Sequence, residues 1–146
     1  MRYTEIDLQC EDIMWFGVDK TGAIFECTTG GIGNVPEFVC RSKETNELLC
    51  KFFIESLSTT TEANLLCDYD EENDLLKDCI SLAQKGIYCF DISEDEKYEG
   101  DYIKISVPKN PINLESLPER IKELMKDRIV NEDISEVNLL HLKHAY

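Results

Sequence analysis

The sequence predicts a single α+β domain, with a mainly antiparallel sheet packed against about three helices. Three observations carry that expectation. The chain has 146 residues, one domain's worth, and 42 % of them are apolar, too many for an acidic disordered tail. Two apolar runs near the N-terminus are joined by a short turn signal, the pattern of a β-hairpin. Further strands and helices then follow in mixed order, without the regular alternation that builds a doubly wound parallel sheet. No internal repeat, low-complexity tract or linker divides the chain.

Residues 1–12 suit either a short helix or an extended lead-in. Ile13 to Val18 is densely apolar and reads as a strand, Asp19-Lys20-Thr21-Gly22 as a turn, and Ala23 to Thr28 as the returning strand. Trp15 and Phe16 must point to opposite faces. One of them is therefore expected to be partly exposed, as an interface anchor, or covered by a helix. Thr29 to Asn34 is a glycine-rich loop. Pro36 and Glu37 suit the first turn of a helix whose pattern runs toward Leu57, with the polar stretch Arg41–Glu47 as a candidate break.

Asp70 to Lys85 is the cleanest helical pattern. Leu75, Leu76, Cys79, Ile80 and Ala83 share one face, and Gly86 follows as a natural C′ residue. Ile87 to Ile92 reads as a buried strand, and Ser93 to Gly100 as an acidic connection. Tyr102 to Val107 alternates apolar and polar residues like a half-buried strand. Pro118 opens a short helix that turns Ile121, Leu124 and Met125 inward, and one more strand is expected around Glu136–Leu142.

Charge is the strongest functional signal. Thirty Asp and Glu face fifteen Lys and Arg, for a net charge of −15, and residues 67–101 hold twelve of the acids against three bases. Such a surface repels nucleic acid and anionic membranes and attracts basic proteins. No apolar run approaches the roughly 20 residues of a membrane span. The N-terminal residues lack the apolar stretch of a signal peptide, so a cytoplasmic location is expected. The seven cysteines are odd in number and include no Cys-x-x-Cys pair. Neither a disulfide framework nor a zinc ribbon is expected, and most of the cysteines read as small buried residues.

Gly30, Gly31 and Gly33 lie between a strand and a helix start, where backbone amides can cradle a phosphate. The dinucleotide fingerprint fails, because Pro36 stands where its third glycine belongs. No Gly-Lys-Ser/Thr is present, which excludes a P-loop. A calcium loop starting at Asp68 offers Asp68, Asp70, Glu72 and Asp74 but has Asn73 at position six and Cys79 at position twelve. His141 and His144 are the only histidines; at i, i+3 they could share a helix face but on a strand they point to opposite sides, and neither zinc nor acid–base chemistry is expected of them. No cofactor, metal or catalytic residue is assigned.

The stretch Trp15 to Phe25, with Thr28 to Pro36 and Gly86 to Asp91, resembles a group of small uncharacterised bacterial cytoplasmic proteins. They open with a Trp-Phe/Tyr-x-Val-Asp hairpin and a glycine-rich turn ending in Val-Pro. The match spans about a third of the chain and carries no site residues. Small acidic proteins of this general look include immunity proteins of bacterial toxin systems, so the resemblance implies a similar role.

The expected function is therefore non-catalytic: binding and neutralising a basic, toxin-like protein. The contributing surface is expected to be Asp68, Asp70, Glu71, Glu72, Asp74, Glu94, Asp95 and Glu96. Two alternatives stand beside it. One is small-ligand or nucleotide binding at Gly30, Gly31 and Gly33; the other is a housekeeping adaptor or homo-oligomer with no basic partner.

Overall fold

The computed structural model describes Met1–Tyr146 and confirms a single α+β domain. The N-terminal residues form a helix, α1 (Glu5–Cys10). A reciprocal capping box fixes its start: Thr4 accepts from the Asp7 amide, and the Asp7 carboxylate accepts from the Thr4 amide. The hairpin β1 (Met14–Val18) and β2 (Ile24–Thr28) follows in antiparallel register. The helical stretch after Pro36 does break at the polar segment. It forms α2 (Glu37–Cys40) and α3 (Lys43–Lys51), the second capped by the Ser42 hydroxyl on the Thr45 amide. Pro36 stands one position outside α2, at its N-cap. A short π-helical segment (Phe52–Ser56) ends this unit.

β3 (Ala63–Leu65), α4 (Asp74–Gln84), β4 (Tyr88–Ile92) and β5 (Tyr102–Pro108) come next, then α5 (Glu119–Met125) and β6 (Leu139–Leu140). The sheet order is β1-β2-β4-β5-β3, with β6 sharing the outer edge of β5 with β3. Only the β2–β4 pair is parallel.

Four sequence expectations change. α4 starts at Asp74, not Asp70, because the Asn73 side chain accepts from the Leu75 and Leu76 amides and caps it there. Its buried face is Leu76, Cys79, Leu82 and Ala83, so Leu75 and Ile80 sit half-buried at the margin. The C-terminal strand shortens to two residues. In β5 the polar residues Lys104 and Ser106 are buried while Ile103 is exposed. A bulge puts the two polar residues on opposite faces. Cys89 pairs with Ser106 but Phe90 pairs with Lys104, leaving Ile105 as the extra residue. Lys104 therefore lies over the Tyr88 and Phe90 rings on one face and donates to the Ile134 carbonyl. Ser106 lies on the other face and donates to the Cys79 carbonyl of α4.

The sheet has a core on each face. One is covered by α3, α4 and α5, through Phe16, Leu49, Phe53, Leu82, Ile121 and Met125. The other is covered by α1, α2 and the chain after Val130, and it centres on Trp15. Both Trp15 and Phe16 are fully buried, so neither is an exposed anchor. Trp15 meets the edges of Phe25, Phe38 and Tyr102 at 5.6–6.0 Å between ring centroids. Such pairs add about 0.5–1.5 kcal/mol each beyond the area they bury.

The outer side of β1 is finished by side chains and by one short chain segment. Asn46 Nδ2 and Cys50 Sγ bond the Met14 carbonyl, and Arg128 Nη1 bonds the Phe16 carbonyl. Val18 exchanges backbone hydrogen bonds with Arg128 and Val130. Asp19, buried in the β1–β2 turn, accepts from the Thr21 amide and hydroxyl and the Ala23 amide through Oδ1, and from the Ile134 amide through Oδ2.

Candidate functional site

The two acidic runs converge on one end of the sheet. β3 is antiparallel to β5, so the chain after Leu65 leaves beside the start of β5. The connection from β4 leads into that same start, closed by the Ser93 amide on the Asp101 carbonyl at 2.9 Å. β1 begins and β2 ends there too, which adds Asp12 and the glycine-rich loop. The eight carboxylates expected from sequence, Asp68, Asp70, Glu71, Glu72, Asp74, Glu94, Asp95 and Glu96, are all exposed. Among them only Asp74 has a cation near, Lys77 at 3.8 Å. The runs are nonetheless ordered: the Glu72 amide donates to Asp70 Oδ1 and the Lys97 amide to Asp95 Oδ1, each at 3.0 Å. Exposed apolar surface lies within the same runs, with Leu66 at 48 %, Tyr69 at 58 % and Tyr98 at 36 %. At the sheet margin, burial and the nearby Asp12 and Glu94 raise the Asp91 carboxyl above its ordinary range.

The glycine-rich loop is built differently from an anion cradle. Its amides are already committed: Gly30 to Asp12 Oδ1 at 2.8 Å, Ile32 and Gly33 to the Thr29 carbonyl, and Asn34 to the Gly100 carbonyl. Gly31 donates a long bond of 3.4 Å to the Thr29 hydroxyl. Gly31 and Gly33 line a cleft of about 340 Å³ together with Glu5, Glu99 and His144, where two carboxylates oppose a phosphate. The glycines have structural reasons instead. Gly30 and Gly31 have positive φ, and a Cβ on Gly33 would overlap the Tyr102 hydroxyl, with Cζ at 2.8 Å. Tyr102 is fully buried and donates to the Asn34 carbonyl at 2.7 Å. Gly33→Ala is therefore expected to lose about 2 kcal/mol of stability, the range of overpacking a tight core. An unchanged denaturation midpoint would show that Tyr102 moves aside freely.

The histidines lie in irregular chain after β6. His144 Nδ1 accepts from the Val35 amide at 2.9 Å, and His141 pairs with Asp101 at 2.6 Å. His144 has a structural bond; the His141 ring is open to solvent. Both border a cleft of about 660 Å³, shared with Phe38 and Leu142, and His144 also borders the cleft beside Gly31 and Gly33.

Of the seven cysteines, Cys27, Cys40, Cys79 and Cys89 are buried, Cys50 is half-buried, and Cys10 and Cys67 are exposed; all are free thiols. Spacing gave no reason to group any of them. The fold nonetheless brings Cys79, Cys89 and Glu26 together under α4. Glu26 is fully buried, and burial pushes its carboxyl up to about 8, against the opposing pull of the Thr28 hydroxyl and the Cys89 thiol. The sequence signal for this cluster was a charge inside the otherwise apolar strand Ile24-Phe25-Glu26-Cys27.

No protein-family model, curated protein or solved structure matches the chain. No helix is long and apolar enough to cross a membrane.

Proposed function

We propose that the chain is a non-catalytic protein-binding module that neutralises a basic, toxin-like partner through the acidic end of its sheet. The supporting observation is the convergence of two exposed, almost unpaired acidic runs with Leu66, Tyr69 and Tyr98 set among them. Carboxylates without internal cations are free to steer a basic protein, and aromatic residues at an interface supply contact area once it docks. The mechanism is occlusion of the partner's working surface. Steering raises association about 10–10³-fold and weakens as salt screens the field.

The test is co-expression with the product of the adjacent gene, followed by purification of any complex. Rescue of growth and a salt-sensitive complex support the reading. Reversing the charge of Asp68, Asp70, Glu71, Glu94, Asp95 and Glu96 is expected to slow association at least tenfold and flatten its salt dependence, measured by stopped-flow mixing. Unchanged association kinetics in that variant would overturn the acidic surface as the docking face.

A further inference from the structure

We infer that Glu26, Cys79 and Cys89 form a buried binding site for a single thiophilic divalent cation of the zinc type. The three side chains come from three rigid elements. Glu26 on β2 and Cys89 on β4 are direct partners in the parallel ladder, and Cys79 faces them from α4. One carboxylate oxygen and the two sulfurs lie within 4.8 Å of one another. A tetrahedral ion with metal–sulfur bonds of about 2.3 Å holds its sulfurs roughly 3.8 Å apart, so the cluster needs only a small contraction to close on one. Thiolate sulfur and carboxylate oxygen are both Zn²⁺ ligands, and three protein ligands leave a fourth position for water.

A second, independent observation points the same way. Glu26 Oε2 is fully buried and has no hydrogen-bond partner, while Oε1 accepts from the Thr28 hydroxyl. A polar atom left bare inside a core is costly, and a metal bond would satisfy it. No Lys or Arg forms an ion pair with Glu26. The site also lies beneath the acidic end of the molecule. Burial, and then the nearby Cys79, Asp68 and Asp91, raise the Cys67 thiol, which places the start of the acidic run near the cluster.

Loading exchanges protons for the ion. Both thiols and the Glu26 carboxyl release their protons to solvent, and the dication takes their place against three ligand charges. The resulting net charge of −1 equals that of a structural site with three cysteines and one histidine. No oxidant or reductant is involved.

The experiment uses the full chain, reduced and stripped with a chelator, then titrated with Co²⁺ and Zn²⁺. Expected are one ion per chain, thiolate-to-cobalt charge-transfer absorption that Zn²⁺ abolishes, and a rise of several degrees in Tm with Zn²⁺. Cys89→Ser is expected to abolish the absorption. Glu26→Gln, which keeps the volume and adds no charge, is expected to weaken binding at least tenfold, and it decides the matter if Cys89→Ser fails to fold. Cys10→Ser, remote on α1, is expected to bind like the parent. No charge-transfer absorption, or absorption that survives in Glu26→Gln with unchanged affinity, would overturn the site. The outcome is independent of any protein partner.

Discussion

Asp19→Ala is expected to lose about 4 kcal/mol of folding stability, because one carboxylate there answers four donors, each bond to a charged acceptor contributing on the order of 1.5 kcal/mol or more. Oδ1 holds the turn together through Thr21 and Ala23 at 2.7–2.9 Å, and Oδ2 reaches the Ile134 amide at 2.7 Å. Ile134 is fully buried on the Trp15 face, so its amide has no water to turn to. The deletion therefore frees the hairpin turn and unpins the chain that follows α5. For a domain of this size, such a loss lowers Tm by roughly 8–16 °C. Asp19→Asn is expected to fall between the two, since its amide nitrogen cannot accept from both ends. A Tm within about 3 °C of the parent for Asp19→Ala, at the precision such scans allow, would remove Asp19 from this role.

The second large effect is on pH. Metal-free protein is expected to be most stable below pH 4.5 as far as Glu26 is concerned, and to lose that contribution as pH rises toward 8. The sign follows from proton counting. Glu26 ionises near its ordinary 4.5 in the unfolded chain and near 8 when folded. Between those values the folded state holds a proton that the unfolded state has released, so raising the pH favours unfolding. Full release corresponds to about 1.4 kcal/mol per pH unit, hence a few kcal/mol across the window. Asp91, also raised by burial, acts in the same direction. Comparing urea unfolding of parent and Glu26→Gln at pH 5.5 and pH 8, in chelator and reductant, isolates the Glu26 part. The glutamine variant should show a flatter dependence and gain most over the parent at pH 8. Parallel curves would mean that Glu26 is not held protonated.

These two residues mark what was legible in the chain. Asp19 stands in a turn that local chemistry predicts, with Gly22 three residues on, and the flanking strands formed where their apolar runs said they would. α4 was equally clear from its period; only its first turn moved, because a side-chain cap outranked a run of acids as a start signal. The acidic residues were readable as exposed. Their gathering at one sheet end was not, since it depends on strand directions that no local pattern encodes. The same holds for Glu26, which lies 53 residues from Cys79 and 63 from Cys89, and meets Cys89 through the parallel β2–β4 pairing and Cys79 through the packing of α4. In β5 the bulged Ile105 turns Ser106 to the face opposite Lys104, a change of phase that the local alternation does not announce.

The capped outer side of β1 has a consequence for the molecule in a crowded solution. A sheet edge with idle carbonyls and amides is a template on which another chain can add a strand and begin to aggregate. Here the Met14 and Phe16 carbonyls are occupied by Asn46, Cys50 and Arg128, and both backbone groups of Val18 by the segment from Arg128 to Val130. At the opposite border β3 and β6 divide β5 between them, so no long idle row is left there either. The buried Arg128, which has no carboxylate partner, thus closes part of that edge to an incoming strand.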